Sequence, residues 1–385
     1  MKFFRIAVLI VLFLLGTACL VWYFLSRETV CGGGRGLLPN ESGWLYSSGE
    51  MELMNFDEPG KKQYSGVLLT DTSPLGELSV LSDGSLAAGN ARGEVVFLRP
   101  GQEPKTVHVT PTSISAPVTE SDGVYYVGDE GGTFAAFTPD KGVLWTFRAG
   151  NQITGAAIPA GDLVWFGSHD NSLYALGVSG DDSGKVIHEV ECRGQINGTP
   201  LFYDGFVIFG SCDGKLRKTD IKTGEVVQAL DFDSYIPESP VLYGGVLYLL
   251  THGGDLAAVD PDEFKVIYRV ETGSQFFSSP FVTDEFIYLT DANGRIHIHK
   301  RAEGSFVADL PSAKTWNPVS SGTRNGVYAL SRHGNLCFFE AGSWKEQVIA
   351  EFPSDFRTGV IEAHGFLAAA DEYGNIFYAE RKEEP

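Results

Sequence analysis

Short apolar segments separated by tight polar turns recur along most of the chain. In one copy, residues 245–249 form an apolar run, residues 252–254 read His-Gly-Gly, and residues 256–260 form a second run. Apolar runs of this length flanked by turn residues are typical of β-strands, and two of them joined by a glycine turn form a β-hairpin. The pattern therefore predicts an all-β fold built from hairpins.

The hairpins repeat with a period of about 40 residues. One turn position identifies the copies, because it holds glycine, or asparagine in one copy, and these residues reach positive φ at low cost. The eight turn positions are Gly93, Gly132, Asn171, Gly214, Gly254, Gly294, Gly334 and Gly374. A strand that often begins at a proline precedes each hairpin, and another strand follows it. Four strands per repeat predict one blade of a β-propeller.

Stacking blades in a ring buries the faces that a single blade leaves exposed. We therefore predict an eight-bladed β-propeller of four-stranded antiparallel blades over residues 42–381, followed by a tail at 382–385. The last copy has three strands, and residues 63–69 form a strand without a hairpin of its own. We expect this early strand to complete the last blade. Residues 43–57 form a degenerate hairpin, which is either a partial ninth blade or an extra edge element.

The N-terminal region predicts a membrane tether. Residues 6–25 contain no charged side chain. This segment is long enough to form one transmembrane helix across a hydrocarbon core of roughly 30 Å. The basic residues within 1–5 favour a cytoplasmic N-terminus and an extracytoplasmic body, and residues 26–41 read as a flexible linker. The alternatives are a lipoprotein that is cleaved and lipidated at Cys19, and simple secretion after cleavage of a signal peptide.

Composition and charge narrow the classes of partner. The formal net charge is −20 at pH 7, which argues against nucleic acid, because nucleic-acid binding requires a cationic surface. The abundance of Gly, with 46 residues, and Phe, with 26, fits a fold rich in turns and strands. We expect a protein or peptide partner, and a chain that is monomeric or part of a hetero-complex.

The cysteines and histidines give few candidates for chemistry. Cys192 and Cys212 lie in loops expected on the same propeller face, and we predict a disulfide between them. His297 and His299 alternate on one strand without a third ligand, so we predict a solvated strand face and no metal site. No pairing of a nucleophile with a base predicts catalysis.

The segments that enter the innermost strands predict a binding surface, because propeller geometry gathers them around one mouth of the central channel. These segments mix amide, charged and aromatic side chains, which a recognition surface needs. The predicted rim consists of Gln152, Gln195, Asn197, Glu238, Gln275, Phe277, Trp316 and Arg357. Within it, we expect Phe277 and Trp316 to anchor a partner segment while Glu238 and Arg357 orient it. The alternative is that these residues only cap the channel and pack between blades.

The repeat resembles that of quinoprotein (PQQ)-like propellers. Residues 161–176 read GDLVWFGSHDNSLYAL, and residues 140–145 and 220–225 supply the turn before the outer strand. The resemblance covers about residues 70–381 and is nearest to the BamB-type propellers of outer-membrane-protein assembly. It implies a membrane-anchored, extracytoplasmic scaffold without a cofactor.

The same family contains enzymes, which leaves an alternative function. Quinoprotein dehydrogenases hold their cofactor beside a disulfide of adjacent cysteines, and this chain has no adjacent cysteines. We therefore expect a non-enzymatic, protein-binding propeller. The alternatives are a PQQ-dependent dehydrogenase-like enzyme and a ligand-sensing ectodomain.

Overall fold

The structure is a computed structural model that describes residues 66–68, 76–98, 104–310, 314–323, 325–363 and 366–380. The predicted N-terminus at 1–5, anchor at 6–25 with Cys19, linker at 26–41, degenerate hairpin at 43–57 and tail at 382–385 lie outside these residues. Within the described ranges, no helix is both long enough and apolar enough to cross a membrane.

The described residues form eight antiparallel sheets of four strands each, which confirms the predicted eight-bladed propeller. The innermost strands are β2 (Ser79–Val80), β6 (Thr119–Ser121), β10 (Ile158–Ala160), β14 (Leu201–Tyr203), β18 (Val241–Tyr243), β22 (Phe281–Val282), β26 (Ser321–Thr323) and β30 (Ile361–Ala363). The second strands are β3 (Leu86–Gly89), β7 (Val124–Gly128), β11 (Leu163–Gly167), β15 (Phe206–Gly210), β19 (Val246–Leu250), β23 (Phe286–Thr290), β27 (Gly326–Leu330) and β31 (Phe366–Ala370).

The two outer positions of each blade complete the sheets. The third strands are β4 (Glu94–Leu98), β8 (Thr133–Thr138), β12 (Ser172–Gly177), β16 (Lys215–Asp220), β20 (Asp255–Asp260), β24 (Ile296–Lys300), β28 (Asn335–Glu340) and β32 (Ile376–Glu380). The outermost strands are β5 (Lys105–His108), β9 (Gly142–Arg148), β13 (Val186–Glu191), β17 (Val226–Asp231), β21 (Lys265–Glu271), β25 (Phe306–Asp309), β29 (Glu346–Glu351) and β1 (Gly66–Leu68). A short 3-10 helix, Gly180–Asp182, precedes β13.

The ring closes through the first described strand. The last blade has the strand order β1-β32-β31-β30, so β1 supplies its outermost strand. In this pairing, Gly66 lies opposite Tyr378 and Leu68 lies opposite Ile376 in an antiparallel register. The prediction that the early strand completes the last blade is thereby confirmed for residues 66–68.

The core lies between blades. Eight clusters of buried apolar side chains occur in the described residues, and each cluster joins two neighbouring blades. Successive residues of a strand point to opposite faces, so Leu247 and Leu249 pack against the preceding blade. Tyr248 and Leu250 of the same strand pack against the following blade. Both faces of each blade are therefore buried, which explains why the strands are almost continuously apolar.

The turns between second and third strands show why glycine recurs at 40-residue intervals. All eight turn positions have positive φ, from +73° at Gly294 to +104° at Gly254. At Gly93, a Cβ atom would lie 2.0 Å from the carbonyl oxygen of Thr110, so a side chain is excluded. The aspartates beside these turns bond their own backbone, as Asp291 does by accepting from the N–H groups of Asn293 and Arg295.

Candidate functional site

The segments entering the inner strands are held in place by a repeated backbone bond. In the third to eighth blades, the N–H group of a turn residue donates to a carbonyl group in the entry segment of the same blade. These bonds join His169 to Gln152, Cys212 to Gln195, His252 to Tyr235, Ala292 to Gln275, Arg332 to Thr315, and Glu372 to Asp355, with N···O distances of 2.8–3.2 Å. The repeat thus fixes each entry segment beside one turn, on one face of the ring.

A cavity of about 500 Å³ lies in the central channel and is lined by residues from all eight blades. Four residues of the predicted rim line this cavity, namely Asn197, Glu238, Phe277 and Arg357. Gln152, Gln195 and Gln275 lie outside it, beside the turns. Of these amides, Gln152 Nε2 contacts His169 Nδ1 at 2.8 Å. The structure therefore gathers half of the predicted rim around the channel.

Trp316 is not an exposed anchor, contrary to the sequence-based expectation. Its side chain is 2% exposed and packs edge-on against Phe339, with ring centroids 5.5 Å apart. The residue belongs to the apolar cluster between the sixth and seventh blades. Phe276 and Phe356 occupy the same position in the neighbouring entry segments and are equally buried. This position points into the interblade core, so its aromatic side chains stabilise the fold.

Arg357 lines the channel but does not pair with Glu238. Its Nε atom donates to Glu372 Oε1 at 2.7 Å, within the same blade. This carboxylate raises the pKa of the guanidinium. No contact between Glu238 and Arg357 therefore supports their predicted joint role in orienting a partner.

Two carboxylates, Glu77 and Glu238, line the channel cavity. Burial, the negative charge of Glu77 and an opposing bond from the Ser239 N–H leave the pKa of Glu238 raised to about 7. The pKa of Glu77 is also raised, because protein atoms around the channel desolvate it even though water reaches its side chain. Neither carboxylate forms an ion pair with another described residue. A cationic group placed in the channel would therefore lower the cost of ionising these two carboxylates.

Neutralising Glu238 is expected to stabilise the protein at neutral and alkaline pH but not at acidic pH. The native state binds the proton more tightly than the unfolded chain, so the free energy of unfolding falls as pH rises from 4.5 to about 7. Glu238→Gln removes this loss, and we expect a gain of about 3 kcal/mol at pH 8 with little change at pH 4. Chemical denaturation at both pH values measures this gain in unfolding free energy. Glu225→Gln, in an exposed turn, is the control, and an equal gain at both pH values would contradict the assignment.

Aromatic side chains are exposed beside the carboxylates. Tyr235 and Phe277 are each 58% exposed. His252 lies between them, with ring centroids 4.9 Å from Phe277 and 6.1 Å from Tyr235. We call Tyr235, His252 and Phe277 the aromatic cluster. It combines apolar ring faces with polar ring atoms at the edge of an acidic cavity, as recognition surfaces do.

The predicted disulfide between Cys192 and Cys212 is not formed, since both are free thiols. Cys192 packs against the apolar cluster between the third and fourth blades. Cys212 Sγ instead accepts from Asn197 Nδ2 at 3.6 Å. The two thiols thus contact different neighbours. Burial raises the pKa of Cys192 to about 11, which keeps this thiol protonated and weakly reactive.

His297 and His299 are buried, which corrects the prediction of a solvated strand face. They are 8% and 2% exposed, because neighbouring blades cover both faces of β24. His297 Nδ1 lies 2.6 Å from Asp309, and its Nε2 lies 3.1 Å from Ser274 Oγ. This resembles a nucleophile, base and acid arrangement, but Nε2 also contacts Asp291 Oδ2 at 3.3 Å. A second carboxylate therefore lies against the nitrogen that would face the serine, which distinguishes this arrangement from a catalytic triad.

Two residues of the site were not predicted from the sequence. Gly76 N donates to Gly89 O in the first blade as Asn317 N donates to Leu330 O in the seventh, so Gly76 corresponds to Asn317. Asn317 directly follows Trp316, whose position in the fifth blade is held by Ile236. Glu77 in the first blade therefore occupies the position that Glu238 occupies in the fifth. The first entry segment lacks the proline that marks several others, which hid the correspondence. His252 lies in a turn, and only the bond between turn and entry segment brings it to the rim.

Comparisons with known proteins agree with this architecture. A family model described as outer membrane protein assembly factor BamB matches residues 178–384. No curated protein matches the sequence. The crystal structure of BamB from Moraxella catarrhalis is similar, with a TM-score of 0.68 and 17% identity over 84% of this chain and 98% of that chain. The computationally designed protein Ika8 is also similar, with a TM-score of 0.67 and 14% identity over 80% of this chain and 96% of that chain.

The two kinds of comparison support different statements. At identities of 17% and 14%, the likeness to solved structures shows the fold alone. The family model, in contrast, covers more than half of the sequence, and its repeat is the one described above. This chain therefore belongs to the PQQ-like propellers of the family described as outer membrane protein assembly factor BamB.

Proposed function

We propose that this chain is a membrane-tethered, extracytoplasmic scaffold that binds another protein at the channel mouth. The observation that carries the proposal is the exposure of the aromatic cluster at the edge of an acidic cavity. Tyr235 and Phe277 would bury their rings against a partner segment, and Glu238 with Glu77 would attract a basic side chain of that segment into the channel. Large aromatic side chains beside a desolvated pocket are the usual anchors of protein interfaces.

The family and the sequence support the location. Membership of a family described as an outer-membrane assembly factor favours the periplasmic side of a membrane. The uncharged segment at residues 6–25 would hold the propeller there as a transmembrane helix, with lipidation at Cys19 as the alternative. In either case the linker at 26–41 would leave the propeller free to approach partners at the membrane surface.

An enzyme that uses a bound quinone fits the channel less well. Pyrroloquinoline quinone is a polycarboxylate and requires cationic side chains around it. The described channel instead contains the carboxylates of Glu77 and Glu238, and the guanidinium of Arg357 is already paired with Glu372. A bound polyanion would meet like charges at this site. The residues of this channel therefore do not fit the cofactor.

Truncation of the aromatic cluster tests the proposal. A photoreactive amino acid at Gln275, beside the cluster, would crosslink partners in native membranes, and the same position would be used in the variants. In the double variant Tyr235→Ala and Phe277→Ala, we expect crosslinking to fall by at least tenfold, because losing one anchor costs about 2 kcal/mol. Thermal unfolding should be unchanged, because both side chains are exposed.

Tyr373→Ala is the matched control. Tyr373 is 57% exposed and lies in a turn of the eighth blade, but it does not line the channel cavity. Crosslinking should persist in this variant. If Tyr373→Ala reduces it as strongly as the double variant does, or if the double variant leaves it unchanged, the channel mouth is not the binding surface.

A further inference from the structure

Four consecutive blades end in an open strand edge. The outermost strands β13, β17, β21 and β25 are each paired on one side only, and no other described segment pairs with their outer side. Such an edge presents unpaired backbone N–H and C=O groups, which are a template for a further strand. Proteins normally protect edges of this kind with charged side chains, proline or a covering segment.

Near the beginning of each of these strands, two consecutive side chains are apolar and exposed. The exposed pairs are Val186 and Ile187 (42% and 39%), Val226 and Val227 (40% and 48%), Val266 and Ile267 (42% and 53%), and Phe306 and Val307 (59% and 37%). The same place is polar on two other blades, where β5 begins with Lys105 and β29 begins with Glu346. Strand β21 also begins with a charged residue, Lys265, but an exposed apolar pair follows it, whereas β5 and β29 have no such pair.

The end of each of the four strands is acidic. The final residues are Glu191, Asp231, Glu271 and Asp309, and all four are exposed. Asp231 approaches Lys215 at 3.9 Å, and Asp309 contacts His297 at 2.6 Å. Glu191 and Glu271 form no ion pair with any described residue. Each edge thus runs from an apolar beginning to a negatively charged end.

A neighbouring blade lacks one half of this pattern. Strand β9 of the second blade also begins with an exposed apolar pair, Val143 and Leu144, at 41% and 44%. It ends, however, at the basic residue Arg148, which donates to Thr133 Oγ1. Strand β29 of the seventh blade ends at the exposed Glu351 but lacks the apolar pair, so among the described outermost strands β5, β9, β13, β17, β21, β25 and β29 the two features occur together on the third to sixth blades.

We propose that the edges of β13, β17, β21 and β25 bind an extended segment of another polypeptide as an added antiparallel strand. An antiparallel segment places its first residues beside the acidic end of the edge and its last residues beside the apolar pair. The segment would therefore carry lysine or arginine at its N-terminal end and β-branched or aromatic residues at its C-terminal end. Backbone bonds would supply affinity, the acidic ends would select this direction, and the net charge of −20 would favour a basic segment.

A labelled peptide tests this inference with the full-length chain in detergent. The probe is an eight-residue peptide with two N-terminal lysines followed by alternating valine and threonine. We expect saturable binding by fluorescence anisotropy, slower backbone hydrogen exchange in the four edge strands, and weaker binding at high salt. The reversed peptide, and one with proline at its centre, should bind at least tenfold more weakly, because they lose the charge match or the backbone donors.

Two sets of variants locate the surface. Ile187→Lys, Val227→Lys, Ile267→Lys and Val307→Lys, combined, should lower affinity at least tenfold while thermal unfolding is unchanged, since all four positions are exposed. Glu191→Gln with Glu271→Gln should weaken the salt dependence. The variant Tyr235→Ala and Phe277→Ala should bind the peptide normally, which separates this surface from the channel mouth.

Three outcomes would overturn the inference. These are equal binding of the reversed or proline-containing peptide, undiminished binding by the combined lysine variant, and protection from exchange outside the four edge strands. Concentration-dependent self-association that the lysine variant abolishes would instead assign the edges to a second copy of this chain.

Discussion

Deleting residues 358–385 is expected to abolish the soluble, folded protein. The deletion removes β30, β31 and β32, which leaves β1 without its partner and opens the ring. It also destroys two of the apolar clusters, because the eighth blade packs against the seventh through Leu367 and Ala369 and against the first through Phe366 and Ala368. The exposed faces and strand edges should cause aggregation.

Size-exclusion chromatography and thermal unfolding measure this effect. The control is a deletion of residues 382–385 alone, which follows the last strand and should leave both profiles unchanged. A monomeric product of the longer deletion that melts like the full chain would show that the ring does not depend on its eighth blade.

Replacing Trp316 by alanine should cost about 3–5 kcal/mol of unfolding free energy, because it removes a large, fully buried side chain and leaves a cavity. The cost of Phe277→Ala should lie within about 0.5 kcal/mol, although Phe277 directly follows Phe276, which occupies the position of Trp316 in its own blade. Chemical denaturation at neutral pH compares the two variants.

Trp316→Phe is the matched control for this prediction. Phenylalanine occupies the equivalent position at Phe276 and Phe356, so the variant keeps a ring in the core and should lose about 1 kcal/mol. If Trp316→Ala were as mild as Phe277→Ala, the side chain would not be part of the interblade core.

The fold was predictable because every blade repeats the same local requirements. A turn with positive φ selects glycine, as at Gly254 and Gly334, and two buried faces select continuous apolar strands. A period of about 40 residues then determines the number of blades. The closing strand could also be predicted, because the last repeat has only three strands and residues 63–69 form a strand that belongs to no repeat of its own.

The site was less predictable, because adjacent residues of an entry segment have opposite environments. Phe276 is fully buried between blades, whereas Phe277 is 58% exposed, and both are phenylalanine. A signal was present: the position of Trp316 holds Ile153, Ile196 and Ile236 in earlier repeats, which is a core preference. Its aromatic members read as rim residues because the segments around them are polar.

The sequence-based predictions for the histidines and cysteines were wrong for a related reason. His297 and His299 are flanked by charged residues in the sequence, but the neighbouring blades that cover their strand are distant along the chain. For Cys192 and Cys212, the loops were correctly expected near each other, yet the direction of each thiol depends on contacts to other blades. Sequence spacing alone does not contain that information.

The pairing of β1 with β32 has a consequence for the synthesis of the protein. A ribosome makes β1 first and its partner last, with roughly 300 residues between Gly66 and Tyr378. During that interval the growing chain holds an unpaired strand and a series of blades that have only one neighbour. Blades can stack as they emerge, but the final contact must bring together the two most distant parts of the propeller, which makes it slow. Until the last strand arrives, the incomplete propeller is therefore an open arc of blades whose exposed apolar faces favour aggregation.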